Sequence, residues 1–204
     1  MLINVVALGS GGFSMVVKDA SVVETAMMIQ FWQRGYYQTT VDDLLTVSQL
    51  SRTQFYRQYH SKRVALRRSL ERYQITLDEQ LDQLIQRERA RQTPLPALIA
   101  ACLRLPFQSE RWPTGCLMVN LMAEIGSQDA SLMAQLQTIY ADLQTRLVGL
   151  LSPQAKTLPT TVAEAAASLM QVRSGIQLLA KQDPSGAQLK QQAQTSVNLI
   201  MGAV

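Results

Sequence analysis

A cluster of hydrogen-bonding side chains in residues 51–57 has the composition and spacing of a nucleic-acid contact. In a helix, at about 100° per residue, two arginines, a threonine and a tyrosine lie on one face: Arg52, Thr53, Tyr56 and Arg57. A guanidinium fits guanine O6 and N7 or a phosphate, a threonine can contact base edges, and a tyrosine can donate to phosphate. The pattern predicts a helix face that binds DNA.

Two capping boxes place this face on the second of two short helices. Thr40 and Asp43 have the Thr-x-x-acid spacing of one box. Ser51 and Gln54 have the Ser-x-x-Gln spacing of a second box, which begins 11 residues after the first. Because the two helix starts are so close, one short turn must join the helices. This is a helix-turn-helix arrangement.

The positive charge of the chain is concentrated around this motif. Residues 18–72 carry nine basic and five acidic side chains, which accounts for the whole net charge of +4. Residues 73–204 carry ten of each sign. A basic unit attached to a neutral body is typical of a polyanion-binding module, and a solvated helix face is the competing interpretation. A basic surface for anionic membranes is disfavoured, because a helix that lies on a membrane would be continuous.

Helix signals dominate the sequence, and no period-two alternation predicts a strand. We therefore expect an all-α protein, preceded by a poorly ordered leader at residues 1–17. Breaks at glycines and prolines divide the chain into nine predicted helices. They lie at 21–34, from 40, from 51, and at 61–91, 94–106, 114–126, 129–151, 160–182 and 186–202.

The sequence offers little for catalysis or for a cofactor. It contains one histidine, His60, no cluster of metal ligands and no Gly-x-Ser-x-Gly elbow. We therefore predict no enzyme, no metal site and no cofactor. Two cysteines cannot form a disulfide framework, and no apolar run approaches the roughly 18–20 residues of a membrane helix. Both features favour a cytoplasmic protein that does not associate with membranes.

The segment FWQRGYYQTTVDDLLTVSQLSRTQFYRQYHSKRVAL resembles the N-terminal DNA-binding domain of the tetracycline-repressor (TetR/AcrR) family. A second segment, GCLMVNLMAEIGSQDASLMAQLQTIYADL, resembles the ligand domain of one subgroup through its Gly-Cys-Leu-x-Val-Asn signature. The residues that carry the first resemblance are Phe31, Arg34-Gly35-Tyr36, Thr39-Thr40-Val41, Leu44, Ser51, Phe55-Tyr56, Tyr59 and Ser61-Lys62.

The resemblance implies an N-terminal three-helix bundle with the helix-turn-helix at residues 18–65. It implies a helical ligand-binding and dimerisation domain at residues 66–204. One departure is Ser48-Gln49, where the family usually has Ala-Gly in the turn. Because glycine suits so tight a turn, Gln49 implies local strain or a shifted geometry.

The function implied by the resemblance is a ligand-responsive repressor, which binds a palindromic operator as a homodimer and is released by a small-molecule inducer. In such a dimer, two recognition helices enter successive major grooves. A transcriptional activator of the same family is an alternative. By position, the DNA-binding residues would be Thr40, Ser51, Arg52, Thr53, Gln54, Tyr56, Arg57, His60 and Lys62.

Two C-terminal segments, 160–182 and 186–202, have apolar stripes that suit a four-helix dimer interface. The resemblance places the homodimer contact there, and the alternative is that both stripes face the core of the monomer. The stripes consist of Val162, Ala165, Ala166, Leu169, Val172, Ile176 and Leu179, and of Leu189, Ala193, Ser196, Val197 and Ile200.

The middle of the chain combines apolar walls, methionines and a few polar groups. This composition suits a small-molecule pocket, and it equally suits an ordinary helical core. The candidate ligand-binding residues are Leu103, Phe107, Trp112, Cys116, Met118, Asn120, Met122 and Tyr140.

Cys116 supports a second hypothesis because it follows Gly115 at a predicted helix start. A helix N-terminus favours a thiolate and makes a cysteine more reactive. The chain would then be a repressor that senses oxidants or electrophiles through Cys116, with Cys102 as a candidate partner. The competing interpretation is a buried, inert cysteine.

Overall fold

The computed structural model describes residues 19–105, 112–180, 182 and 186–203. The helical segments there are α1 (Ala20–Arg34), α2 (Val41–Ser48), α3 (Arg52–Tyr59), α4 (Lys62–Ala90), α5 (Leu95–Arg104), α6 (Leu117–Ile125), α7 (Ala130–Leu151), α8 (Val162–Leu179) and α9 (Ala187–Met201). These residues contain no strand, and the all-α prediction is confirmed. The leader predicted at residues 1–17 lies outside the described residues.

The N-terminal head consists of α1, α2, α3 and the first turns of α4. Helix α1 packs against α2 and α4, while α3 packs against α4. The head forms around large side chains that are fully buried: Met27, Phe31, Leu44, Phe55 and Leu66. Burial of each such side chain contributes on the order of 1.5–3 kcal/mol, which holds the two short helices in place despite their length of eight residues.

Both predicted capping boxes are present at the starts of α2 and α3. The Thr40 side chain accepts a hydrogen bond from the Asp43 backbone N–H, and the Asp43 carboxylate accepts from the Thr40 N–H. Ser51 and Gln54 form the equivalent pair on α3. Each pair satisfies backbone donors that the first turn of a helix leaves without an intrahelical partner.

The turn between α2 and α3 places Gln49 in the left-handed region, at φ 54° and ψ 33°. This conformation costs a residue with a Cβ on the order of 1–2 kcal/mol, which is the local strain that the sequence predicted. The turn keeps its tight geometry, and Ser51 caps α3 directly after it.

Helix α4 connects the head to the C-terminal body. It has 29 residues, which corresponds to about 43 Å. In the body, α4 packs against α5 and α7, and α8 lies between α5, α7 and α9. A displacement of the body side of α4 would therefore move the head, because the same rigid helix belongs to both.

The apolar stripes of α8 and α9 face mainly the core of the monomer, so the residues predicted for the dimer contact need correction. Contacts of α5 with both α8 and α9 cover the stripes within one chain. Buried residues among them are Ala165, Ala166, Leu169, Ile176, Leu189, Ala193 and Val197. One residue of the predicted stripes, Leu179 (42% exposed), remains accessible to a second chain. Two other leucines of this helix pair are accessible as well: Leu178 (55%) and Leu199 (66%).

Helix α6 begins later than predicted. Gly115 has a positive φ of 86°, which interrupts the helix, and Cys116 becomes the N-terminal capping residue of α6. Within the described part of the chain, no helix is long and apolar enough to cross a membrane.

Candidate functional site

Helix α3 presents the predicted hydrogen-bonding face to the solvent. Arg52, Thr53, Tyr56 and Arg57 are all exposed, and Tyr56 is 42% exposed. The opposite side of the helix packs into the head through Phe55, which is fully buried. The structure thus assembles the face as the helical spacing predicted, with room for a guanidinium and a phenol to contact a groove. Its binding to DNA stays a prediction.

Arg52 forms an ion pair with Asp42 of the preceding helix. The two side chains are 59% and 74% exposed, so water screens the pair and it contributes no more than about 1 kcal/mol. A phosphate or a guanine could therefore replace Asp42 at small cost. Arg34 makes a similar contact with Asp43 at 3.0 Å, and this pair ties α1 to α2.

The remaining predicted contact residues of the head have structural roles as well. Thr40, Ser51 and Gln54 use their side chains in the capping boxes. His60 is exposed and ends α3 at a positive φ of 58°. These positions surround the exposed face of α3, but their hydroxyl and amide oxygens already have partners within the chain.

Lys62 forms hydrogen bonds within the head, which adds a structural role to its predicted contact with DNA. Its Nζ donates to the carbonyl oxygens of Tyr36 and Thr39, at 2.9 Å each, and lies 4.5 Å from the centre of the Tyr36 ring. Since an ammonium has three N–H groups, one donor is left for a phosphate. Lys62 therefore ties α4 to the turn between α1 and α2.

A contact between the head and α6 was not anticipated from the sequence. The backbone N–H groups of Tyr36 and Tyr37 donate to the Glu124 carboxylate at 2.9 and 2.7 Å. Gly35 lies beside this carboxylate with φ +81°, and a Cβ at this position would be 2.6 Å from Glu124 Oε2. The glycine therefore permits both the backbone conformation and the approach of Glu124. We call these hydrogen bonds the head latch.

A bidentate ion pair lies next to the head latch. Arg63 Nε and Nη2 donate to the Asp129 carboxylate at 2.6 and 2.9 Å, and Asp129 also caps α7. The hydrogen bonds from Arg63 and from the Leu132 N–H hold the pKa of Asp129 well below its usual range. Tyr37 and Gln128 add a hydrogen bond of 2.8 Å. The corner between α6 and α7 is thus attached to the head at several points.

Cys116 belongs to a buried polar cluster at the other end of α6. Its Sγ shares a hydrogen bond of 2.9 Å with the Tyr73 hydroxyl and lies 3.6 Å from Arg173 Nη1. Burial raises the pKa of the Tyr73 phenol well above its usual value. The ring of Tyr73 packs edge-on against Trp32, which stacks on Trp112 with centroids 6.3 Å apart. Cys116 and Trp112, two of the predicted ligand-binding residues, therefore both lie beside the Trp32–Tyr73 ring pair.

A narrow cavity lies among α4, α5, α7 and α8, with an empty volume of about 350 Å³ including its opening to solvent. Eight apolar side chains, one cysteine and two arginines line it: Leu77, Leu81, Cys102, Leu103, Leu105, Leu143, Arg146, Leu147, Leu150, Met170 and Arg173.

Of the eight predicted ligand-binding residues, the structure places one at the cavity and two beside Tyr73 and Trp32. Leu103 lines the cavity, and Phe107 lies outside the described residues. Met118 is buried, and three others are half-buried: Asn120, Met122 and Tyr140.

Three residues were not anticipated from the sequence: Tyr73, Arg146 and Arg173. The structure places them at the cavity or beside Cys116. The one available signal for Arg173 was its place in the sequence, as a charged residue directly after the apolar Val172. Across the described ranges, no group of three or more metal-ligating side chains could hold a metal ion.

No protein-family model and no curated protein matches the chain. Solved structures do match it. A TetR-family transcriptional regulator from Streptomyces coelicolor is similar with a TM-score of 0.73 at 18% identity, over 91% of this chain and 88% of that chain. The reduced form of E. coli NemR is similar with a TM-score of 0.67 at 19% identity, over 89% of this chain and 95% of that chain.

A cysteine mutant of CifR, a TetR family transcriptional regulator complexed with 26bp double-strand operator DNA, is similar at 18% identity. The TM-score is 0.74, over 89% of this chain and 97% of that chain. The likeness in each case covers the head and the body together. The chain therefore has the all-α fold of the TetR-family transcriptional regulators.

Proposed function

We propose that this protein is a homodimeric transcriptional repressor that binds a palindromic operator through α3 and is released by a small molecule. The observation that carries the proposal is the exposed face of α3, on which Arg52, Thr53, Tyr56 and Arg57 project from the second helix of a helix-turn-helix. The operator-bound CifR neighbour, which has this fold, supports it.

The exposed leucines of α8 and α9 support the dimer. Leu178, Leu179 and Leu199 are large apolar side chains on the surface of one chain, and burial in a four-helix interface would remove them from water. A two-fold axis between two such helix pairs gives two copies of α3. The half-sites of the operator would then lie one DNA turn, or slightly more, apart.

The cavity and the head latch support a mechanism for release. A ligand among α4, α5, α7 and α8 acts through its different affinities for the DNA-competent form and the released form. Helix α4 connects the cavity to the head, and the Glu124 contact connects α6 to the turn before α2. A shift of α4 or α6 would therefore change the separation of the two α3 helices.

The test is fluorescence-polarisation titration of the protein with the intergenic DNA upstream of its gene, with scrambled DNA as competitor. Arg52→Ala and Tyr56→Ala are expected to abolish specific binding while the dimer stays intact. Arg89→Ala is the matched control, since Arg89 is an exposed arginine near the other end of α4, about 40 Å from Lys62 along the helix.

Specific binding by the wild type and by Arg89→Ala, but not by Arg52→Ala or Tyr56→Ala, supports the proposal. Undiminished binding by Arg52→Ala would show that another face contacts the operator. Equal affinity for the upstream and the scrambled DNA would exclude a sequence-specific repressor.

A second candidate function, a thiol-based repressor, is favoured by the surroundings of Cys116. The thiol contacts the phenol of Tyr73 at 2.9 Å and the guanidinium of Arg173 at 3.6 Å. Cys116 is also at the start of the nine-residue helix that carries Glu124 at its far end. An adduct at Cys116 would push on α6 and thereby on the head latch.

The thiol proposal is tested by adding N-ethylmaleimide to the operator complex. We expect release of the wild type and of Cys102→Ser, and no release of Cys116→Ser. Cys102 is the matched control because it is also buried, and burial raises the pKa of its thiol to about 12. Release of Cys116→Ser at the wild-type rate would refute the role of this thiol.

A further inference from the structure

An open groove lies among α4, α5 and α9, separate from the narrow cavity. Its volume is about 550 Å³, which is within the range of roughly 300–1,000 Å³ for ligand pockets. No residue lines both the groove and the narrow cavity. The groove begins at Leu84, Arg87 and Glu88 of α4, about 40 Å along this helix from Lys62 in the head. It is therefore a second place in the body where a molecule could bind.

Helices α5 and α9 each line the groove with one face. Side chains at i, i+3, i+4 and i+7 lie on the same side of a helix. At this spacing, α5 contributes three alanines and an arginine: Ala97, Ala100, Ala101 and Arg104. At the same spacing, α9 contributes Ala187, Lys190, Gln191 and Gln194. The alanines leave the space open, and the longer side chains line it with polar groups.

The groove has an excess of positive charge. Three basic residues line it, Arg87, Arg104 and Lys190, together with one acidic residue, Glu88. The Glu88 carboxylate already accepts hydrogen bonds from three side chains: Thr93 at 2.8 Å, Arg87 at 3.1 Å and Arg91 at 3.4 Å. The hydrogen bonds from Thr93 and Arg87 hold the pKa of Glu88 below its usual value. Glu88 therefore balances Arg87, and two positive charges remain, on Arg104 and Lys190.

Of the three cations, Arg104 is the least exposed to water. It is half-buried, and this burial lowers the pKa of its guanidinium. Its Nε donates to the Ala100 carbonyl oxygen of the same helix at 3.2 Å. Within the described part of the chain, no carboxylate lies within ion-pair distance of Arg104 or of Lys190. Since a guanidinium has five N–H groups and an ammonium three, the groove offers many unused donors and calls for a ligand rich in acceptors.

The groove stays accessible in the proposed dimer. Lys190 and Leu199 are both on α9, and nine residues at about 100° each place them roughly 180° apart around the helix. Leu199 belongs to the surface proposed for the dimer, so Lys190 projects from the opposite side. A small molecule could therefore enter the groove of each chain without separating the two chains.

We propose that this groove binds a small organic phosphate monoester, whose phosphate accepts hydrogen bonds from Arg104 and Lys190 and whose carbon skeleton lies on the alanines of α5. A phosphate monoester carries a charge of about −1.5 to −2 at pH 7 and has three strong acceptor oxygens. It thus matches the two unbalanced cations and their unused donors. The inference goes beyond the proposed function, because neither operator binding nor release by a ligand in the narrow cavity requires a second site.

The test compares probes that share one ring and differ in charge: phenyl phosphate, phenyl sulfate and benzyl alcohol. Each is titrated calorimetrically into the purified full-length protein at about pH 8, where the phosphate is a dianion, in about 0.15 M salt. Because hydrogen bonds to charged groups are the strong ones, phenyl phosphate is expected to bind roughly 10-fold or more tightly than phenyl sulfate. Benzyl alcohol is expected to bind most weakly. Equal affinities for the three probes, or no binding of phenyl phosphate, would overturn the proposal.

Inorganic phosphate tests the part assigned to the carbon skeleton. It offers the same acceptors without a ring, so it is expected to bind several-fold more weakly than phenyl phosphate, because it buries no apolar surface on the alanines. Equal affinity of the two would overturn this part of the proposal.

Variants then assign the binding to the groove. Arg104→Gln and Lys190→Gln are each expected to weaken phenyl phosphate binding about 10-fold and to remove most of its preference over phenyl sulfate. Arg89→Gln is the matched control, since it removes the same charge from an exposed residue of α4 that does not line the groove. A preference that survives in both groove variants would contradict the site. Lys190 is exposed, so Lys190→Gln still decides the outcome if circular dichroism shows that Arg104→Gln does not fold.

An acidic peptide is the competing occupant, and a hexaglutamate peptide tests it. Binding of this peptide by the wild type but not by Lys190→Gln, without binding of phenyl phosphate, would overturn the proposal in favour of a protein partner. The calorimetric titrations contain no DNA, so their outcome is independent of the operator titration. Protein that binds its operator but not phenyl phosphate remains a repressor, and protein that binds phenyl phosphate but no operator keeps the groove site.

Discussion

Replacement of Glu124 by glutamine is expected to weaken the attachment of the head to the body. The carboxylate accepts hydrogen bonds from two consecutive backbone N–H groups, those of Tyr36 and Tyr37, one on each oxygen. A glutamine keeps one oxygen but directs an NH₂ group at the other N–H, so one hydrogen bond is lost and the other loses its charge. The side chain keeps its size, so the packing around Gly35 is preserved.

The size of the effect follows from these two hydrogen bonds. A hydrogen bond to a charged group contributes roughly 1.5–3 kcal/mol, and a neutral one about 1 kcal/mol. Because Glu124 is only half-buried, water can satisfy the released N–H, and the low end of this range applies. We therefore expect Glu124→Gln to lower the free energy of unfolding by about 2 kcal/mol, roughly 1.5 kcal/mol for the lost hydrogen bond and roughly 0.5 kcal/mol for the one that loses its charge.

Urea denaturation followed by circular dichroism measures this difference. Glu79→Gln is the matched control, since it removes the same charge from an exposed position on α4 for which the structure shows no ion pair in its described part. A Glu124→Gln variant within about 0.5 kcal/mol of Glu79→Gln would refute the importance of the head latch, because such a difference is within the error of comparing independent sites.

Three further predictions concern the surfaces of the head and the body. Asp42→Asn is expected to free Arg52, raise the affinity for DNA a few-fold and steepen its salt dependence, as measured by polarisation titrations at several salt concentrations. Gly35→Ala is expected to destabilise the protein by at least about 1 kcal/mol, measured by urea denaturation, because the added Cβ would be 2.6 Å from Glu124 and φ is +81°. Leu178→Glu together with Leu199→Glu is expected to convert the dimer to a monomer in analytical ultracentrifugation, and an unchanged dimer would contradict the proposed interface.

The sequence was sufficient for the local structure of the head. Capping boxes, turn residues and helical spacing act over a few residues, and they predicted α2, the turn at Gln49 and the face of α3. Among the described residues, three that are not glycine have a positive φ: Gln49, His60 and Gln92. Of these, the sequence identified Gln49, through the Ala-Gly that the family usually has in this turn. These features depend on interactions within about ten residues, which a sequence displays directly.

The distribution of buried residues in the body was harder to predict. An apolar stripe on α8 could face a second chain or the same chain, and the sequence contains the same residues in either case. The structure shows that α5 and α7 cover most of it, so that Leu178 and Leu199 are left exposed. Which side of a helix is covered depends on neighbours that are far away in the sequence.

The sequence by itself determined the all-α class, the order of the helices and the face of α3, because each follows from periodicity and from capping over short distances. Only the tertiary structure decided the head latch and the position of Arg173. Glu124 and Tyr36 are 88 residues apart, and Arg173 and Cys116 are 57 residues apart. Contacts over such separations depend on how the helices pack together, and a charge or a glycine in the sequence does not indicate which distant atom it will meet.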